Sequence, residues 1–380
     1  MNRKAAVILF AGLVVAGWVI HDRGRQAAPP PSANGQDPTP AGRVRTPRLP
    51  APRMSAKGPV AERPVEDSRS GTLIARLLDG DEALRLRPDQ VEPYLEDNRR
   101  SAESLLAAFR ATEDPAFLRE ALEKHPGDPR VNFAAYFAFR NESSPEERRQ
   151  RLEAFKQSAP DNALANYLSA QDHFKAGQSD EAVRELVAAS GKPRFQDYSG
   201  DFVQNAEETY RAAGYSEADA KALAAFGLPL PQLGTLRDLG RSIGELADLY
   251  RQAGDEASAQ AALQMGVTLG RQVAEPSGQN YLINDLVGLA IERQILERMD
   301  PASPYDNAGT TVKDRLDELA RRRDLFKELQ GPVDANGRWS SATEVIAGLS
   351  EPDRIRYLDR IKVSGEVEAL RWARSRLGGG

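Results

Sequence analysis

The spacing of apolar residues constrains this chain more than any other feature. From about residue 71 onward, apolar residues recur at intervals of three and four, as in LIARLLDGDEAL at 73–84 and SAESLLAAFRA at 101–111. This spacing places them on one face of an α-helix, and no stretch keeps the alternation of a half-buried β-strand. The sequence therefore predicts an all-α body.

The ends of several helices can be predicted from capping residues. Ser144 precedes Pro145, and Glu147 follows, which is the order of an N-terminal capping box with proline in the first turn. Gly177, Gly214 and Gly254 each follow an apolar run, where a helix usually ends. We expect helices of about ten to twenty residues joined by short turns.

A second regularity has a longer period. KHPGDPRVNFAAYF and SAPDNALANYLSAQ align with Pro126 opposite Pro160, 34 residues later. Two segments, 163–193 and 240–273, then place small and large residues at regular positions: Ala170, Gly177, Ala182, Leu186 and Ala189 in the first, and Ile243, Leu246, Ala247, Tyr250, Gly254, Ala259, Leu263 and Gly266 in the second. The pattern resembles the tetratricopeptide repeat, a helix-turn-helix unit of 34 residues.

The resemblance implies an α-solenoid, in which helical hairpins stack in series and leave one curved face free for a partner. It implies two groups of groove-facing residues: Tyr167, Gln171, Phe174 and Lys175 in one unit, and Gly244, Asp248, Arg251 and Gln252 in the other. All of these except Gly244 are our candidate partner-binding residues. They do not form the basic clamp by which some relatives hold a C-terminal carboxylate. The resemblance has limits, because no unit carries the consensus tryptophan and residues 194–235 interrupt the register.

The aromatic residues of the first two units have a second interpretation. Phe133, Tyr136, Phe137, Phe139, Tyr167 and Phe174 could line the groove or fill the core. We expect most of them to lie in the core, because large aromatic side chains dominate the packing of protein interiors.

The N-terminus predicts export. Residues 5–20 are uninterruptedly apolar and follow the basic start MNRK. A helix of this length reaches roughly 24 Å, slightly short of the roughly 30 Å of a bilayer core. We predict that residues 1–20 form a short basic tail and an uncleaved signal-anchor helix, with the body outside the cytoplasm of a bacterial cell. The alternative is a cleaved signal and a secreted or periplasmic protein.

Residues 21–70 predict a disordered linker. Ten of the chain's 25 prolines lie between Pro29 and Pro64, where large apolar residues are rare. Charge also changes after this segment. Residues 1–64 carry a net charge of +7, which leaves −12 for the remainder of a chain whose total is −5. An acidic body argues against nucleic acid as a partner.

No catalytic or metal-binding motif is recognisable. The chain has three histidines and no cysteine, and it lacks the common nucleophile, phosphate-loop and zinc patterns. We therefore expect a protein that is not an enzyme and has no cofactor, metal or small-molecule substrate. Its body would comprise a repeat domain at 71–300 and a helical region at 301–380 that caps the array.

Two functions remain open from the sequence. The first is a membrane-anchored scaffold or adaptor that presents its helical surface to a protein or peptide of the cell envelope. The alternative is a steric foldase for a secreted protein, because membrane-anchored lipase foldases also have an anchor, a Pro- and Ala-rich spacer and a helical body. Their Arg-x-x-Phe-Asp-Tyr signature is matched only in part, by RFQDY at 194–198.

Overall fold

The computed structural model describes residues 84–275, 281–306, 308–330 and 348–377, together with Leu73, Val345 and Ile346. The predicted anchor helix and most of the predicted linker's neighbourhood, residues 1–72, lie outside this part of the chain. Among the helices that are described, none is both long and apolar enough to cross a membrane.

The described residues confirm the all-α prediction, since they contain two isolated β-bridges and no β-strand. They form fifteen α-helices: α1 (Pro88–Asp97), α2 (Ala102–Thr112), α3 (Pro115–Lys124), α4 (Pro129–Ala138), α5 (Pro145–Ser158), α6 (Ala163–Lys175), α7 (Ser179–Ser190), α8 (Ser199–Ala212), α9 (Glu217–Phe226), α10 (Pro231–Gln252), α11 (Glu256–Ala274), α12 (Leu282–Leu296), α13 (Val312–Gln330), α14 (Glu351–Ser364) and α15 (Glu366–Leu377).

The predicted helix ends are confirmed. The Ser144 hydroxyl accepts from the Glu147 amide at 3.2 Å, and the Ser144 amide donates to the Glu147 carboxylate at 2.7 Å. Gly177, Gly214 and Gly254 follow α6, α8 and α10 with positive φ angles of 72°, 93° and 79°. Glycine adopts this left-handed conformation without the steric cost of a Cβ atom, so each helix can end there in a tight turn.

The 34-residue offset is visible in the helix starts. α4 begins at Pro129 and α6 at Ala163, while α5 begins at Pro145 and α7 at Ser179, so both members of the hairpin recur after 34 residues. α4 packs on α5, α5 on α6 and α6 on α7. This sequential packing is compatible with a helical repeat array.

The small residues of the pattern lie where helices cross. A Cβ atom on Gly266 in α11 would lie 2.7 Å from the Ile295 side chain of α12 and 3.3 Å from Ile243 of α10. Ala170, Ala182, Ala189, Ala247 and Ala259 are all fully buried. Helices can approach one another closely at these points because no larger side chain separates them.

The segment that interrupts the register departs from a simple solenoid. In a solenoid each hairpin contacts only its neighbours. Here α8 instead packs against α1 and α2, and α10 packs against α6. The Phe202 ring of α8 stacks on Phe133 of α4 with centroids 6.1 Å apart, and the Arg110 guanidinium of α2 lies 3.7 Å from the Phe202 ring centre. Thus α8 and α10 cover parts of α2, α4 and α6, the first helices of successive hairpins.

Asn162 ties the array to this covering segment. Its Oδ1 accepts from the Leu164 amide at 3.1 Å, which caps α6, and from the Gln196 amide at 3.0 Å. Its Nδ2 donates to the Gln196 carbonyl at 2.7 Å. A single buried side chain therefore fixes both the start of α6 and the approach to α8.

The C-terminal helices contact two distant parts of the array. α13 packs on α12, α14 packs on α9, and α15 packs on α13 and α14. Glu366, the first residue of α15, accepts from the Leu282 amide at the start of α12 at 2.9 Å. Its carboxyl group is enclosed although the residue as a whole is partly exposed, and this burial raises the pKa of Glu366.

A buried ion cluster joins α8 and α9 to α14. The Lys221 ammonium lies 3.4 Å from the Glu207 carboxylate and also contacts Asp359, while Lys362 contacts Glu207. Burial alone would lower the pKa of Lys221, but the two carboxylates more than offset this effect, so its pKa is raised. The cluster is compensated internally.

Candidate binding cleft

A cleft of about 300 Å³ opens between the ends of α4 and α6 and the first turns of α10. The turn between α4 and α5 closes one side of it. Nine residues line the cleft: Tyr136, Arg140, Asn141, Ser143, Arg148, Gln171, Asp172, Lys175 and Thr235. They come from four helices and one turn, so the tertiary structure and not any local motif creates the site.

Two arginines are held across element boundaries. Arg140, in the turn after α4, donates to the Thr235 hydroxyl of α10 at 3.2 Å. Arg148, in the first turn of α5, donates to the Asp172 carboxylate of α6 at 3.3 Å and to the Ser143 carbonyl at 3.1 Å. These bonds position both guanidinium groups at the cleft wall.

Lys175 at the end of α6 is the third cation. Its ammonium group has no ion pair among the described residues, and its pKa is lowered by partial burial and by repulsion from Arg140. Carboxylates of Asp238 and Asp172 act in the opposite direction without restoring the usual value. The positive charge at this position is therefore undercompensated.

Two neutral polar side chains line the cleft as well. Tyr136 is only 2% exposed, and its hydroxyl makes no hydrogen bond to any described residue. Burial raises the pKa of Tyr136 to about 12, so the hydroxyl keeps its proton at neutral pH and remains a donor. Gln171 accepts from the Ser242 hydroxyl at 3.3 Å, which directs its amide oxygen toward α10.

The structure separates the first group of predicted partner-binding residues. Tyr167 is 1% exposed, and its hydroxyl donates to Gln272 of α11 at 2.7 Å. Phe174 is partly buried against the core. Gln171 and Lys175 line the cleft. Of the four residues, therefore, two face the cleft and Tyr167 lies beneath another helix.

The second predicted group lies elsewhere, at the C-terminal end of α10. Asp248 pairs with Arg298 at 3.3 Å, Arg251 pairs with Glu256 at 3.3 Å, and Gln252 is exposed. A Cβ atom on Gly244 would lie 2.9 Å from the guanidinium of Arg298. None of these residues lines the cleft, so the structure does not bring the two predicted groups into one site there.

The sequence interpretation missed Arg140, Arg148 and Thr235. A signal existed for Arg140, because the 34-residue offset places Arg140 and Asn141 opposite Phe174 and Lys175. No comparable signal exists for Thr235, which reaches the cleft only through the packing of α10 on α6. The expectation that most of the aromatic residues are core is confirmed, since Phe133, Tyr136, Phe139 and Tyr167 are buried.

A second, more open depression lies on the C-terminal helices, with a volume of about 500 Å³. Arg356 and Arg376 there both contact Asp353, at 3.0 and 3.5 Å, and Arg360 lies 4.9 Å from the ring centre of Trp372. Its cations thus already have partners, unlike Lys175.

The histidines take part in ordinary structural bonds. His125 contacts the Arg100 carbonyl at 3.1 Å, and His173 contacts the Gln178 side chain at 2.9 Å. Within the described ranges no group of three or more His, Cys, Asp or Glu side chains is arranged to hold a metal ion.

Comparison with protein-family models, with curated proteins and with solved structures finds no match for this chain. The likeness to tetratricopeptide repeats therefore depends on residue spacing and on helix packing.

Proposed function

We propose that this protein is a membrane-anchored adaptor whose helical body binds a protein or peptide partner in the bacterial cell envelope. The supporting observation is the cleft at the junction of α4, α6 and α10, where Lys175 and its neighbours present polar groups that internal partners leave unused. Helical hairpin arrays commonly bind partners through such surfaces.

The proposed localisation follows from the N-terminal sequence. Residues 5–20 would anchor the chain in the inner membrane, with the body outside the cytoplasm. A coil of about 45 residues spans roughly 35 to 40 Å, so the linker would let the body reach a partner that does not touch the membrane. Protease treatment of intact spheroplasts tests this orientation, because a body on the outer side is digested while cytoplasmic proteins survive.

The adaptor role can be tested with a matched pair of variants. The tagged full-length chain is cross-linked in cells, purified from membranes and analysed by mass spectrometry, alongside Lys175→Glu and Lys124→Glu. Lys124 is a suitable control because it is half exposed on α3 and pairs only with Glu120, which keeps its bond to Arg100.

We expect the same envelope proteins with the native chain and with Lys124→Glu, and their loss with Lys175→Glu. Retention of every partner by Lys175→Glu would contradict a role for this cleft. Recovery of one secreted enzyme, inactive in cells that lack this protein, would support the foldase alternative instead.

A further inference from the structure

We propose that the cleft between α4, α6 and α10 binds a phosphate-type dianion, with Arg140 and Lys175 supplying the charge and Tyr136 a neutral hydrogen-bond donor. The inference goes beyond the adaptor role and does not depend on it, because the site can be occupied by a free ion.

The charge balance of the cleft favours a dianion. Arg148 is matched by Asp172, which lies 3.3 Å away. Arg140 and Lys175 have no carboxylate partner within the described part of the chain. Two uncompensated positive charges correspond to the charge of a phosphate or phosphate monoester near neutral pH, and guanidinium and ammonium groups bind phosphate well.

The nearest further acid is already engaged. Asp238 of α10 acts on Lys175, but its carboxylate lies 3.3 Å from Arg241 and 3.9 Å from Arg237 of the same helix. It therefore adds little to the neutralisation of Lys175. The excess of positive charge is local, since the chain from residue 65 onward is acidic.

The Tyr136 hydroxyl gives an independent reason to expect a ligand. Buried polar groups in proteins almost always have a hydrogen-bond partner, and leaving one unpaired is unfavourable. Tyr136 is buried, lines the cleft and makes no such bond to the described residues. A ligand oxygen in the cleft would accept from this hydroxyl.

The cleft has room for the proposed ligand. Its volume of about 300 Å³ equals that of roughly ten water molecules at about 30 Å³ each. A phosphate group with several bound waters fits, and so does a phosphoryl group carried by a larger molecule that enters from the open side.

Isothermal titration of inorganic phosphate into the purified full-length protein tests the proposal, with Lys175→Gln and Tyr136→Phe as cleft variants. Loss of the ammonium group is expected to weaken phosphate binding about tenfold or more, since it removes a charge-assisted hydrogen bond. Loss of the hydroxyl alone is expected to weaken it about three- to tenfold.

Tyr357→Phe is the matched control. Tyr357 in α14 is also fully buried, and its hydroxyl likewise has no hydrogen-bond partner. Both tyrosine variants should unfold at the same urea concentration as the native protein or a higher one, because each removes an unpaired buried hydroxyl. Only Tyr136→Phe should weaken phosphate binding.

Comparison ligands define the chemistry. Sulfate should compete with phosphate, whereas acetate should bind at least tenfold more weakly because it carries a single charge. A short phosphoserine peptide that binds more tightly than inorganic phosphate identifies a phosphoryl group on a larger molecule as the source, and equal affinity identifies the free ion. The proposal is overturned if millimolar phosphate does not bind, if acetate binds equally well, or if neither cleft variant changes the affinity.

Discussion

Adding one methyl group at Gly288 is expected to destabilise the protein. Gly288 lies in α12 where this helix crosses α11. A Cβ atom there would lie 2.4 Å from the Ala274 backbone nitrogen, 2.6 Å from the Ala274 Cβ and 2.6 Å from the Gly270 carbonyl oxygen. Two of these three atoms belong to the backbone of α11, so no side-chain rotation can relieve the overlap.

The size of the effect follows from two opposing terms. Alanine is favoured over glycine inside a helix by about 1 kcal/mol. Overpacking a close-packed interior costs about 1–3 kcal/mol, and the upper end applies here because α11 also packs on α10 and cannot simply withdraw. We therefore expect Gly288→Ala to lower the free energy of unfolding by about 2 kcal/mol.

Urea unfolding followed by far-ultraviolet circular dichroism measures this loss, with Gly127→Ala as the control. Gly127 lies in the turn before α4, lacks the left-handed backbone conformation and has no atom within 4 Å of a built Cβ. Its replacement should leave stability unchanged or raise it by up to about 1 kcal/mol. If Gly288→Ala is as stable as the native protein, the close helix contact is not the reason for glycine at this position.

Three further perturbations have expected outcomes in the same unfolding assay. Asn162→Ala should lower the free energy of unfolding by about 3 kcal/mol, because it removes a helix cap and leaves buried backbone groups unpaired; an unchanged urea midpoint would contradict this. Lys221→Met should lower it by about 2 kcal/mol, less than is usual for a broken buried pair, because Lys362 still compensates Glu207; a more stable variant would show that the cluster is dispensable. Glu366 has a raised pKa in the folded state, so folding binds a proton and native stability falls as pH rises above the unfolded value of 4.5. Glu366→Gln should therefore match the native protein at pH 4 and exceed it at pH 7, and a stability gain that is the same at both pH values would refute this reasoning.

The features that could be predicted from the sequence are those set by short-range patterns. Apolar spacing determines the helical class, and the Ser144 capping box and the glycines at 177, 214 and 254 mark helix ends through interactions within a few residues. The offset of 34 residues also persists in the structure, because hairpins of equal length with small residues at their crossings pack in the same way.

The path of the chain after Asn162 could not be predicted in the same way. The sequence shows that residues 194–235 interrupt the register but does not show where they go. Their position depends on long-range contacts, such as Phe202 on Phe133 and Arg110 over Phe202, between residues far apart in the chain. A regular solenoid would have left Tyr167 and Gln171 facing an open groove, whereas α10 and α11 cover them here.

The proposed anion site is a consequence of the same departure. α10 packs against α6, brings Thr235 to Arg140 and partly buries Lys175 beside that arginine. In separate hairpins these cations would be exposed to solvent, where water screens their repulsion. The fold-back removes part of that solvent and supplies too few carboxylates in exchange, so the cleft gains positive potential that no local sequence motif encodes. A ligand with two negative charges would supply the compensation that the chain itself lacks.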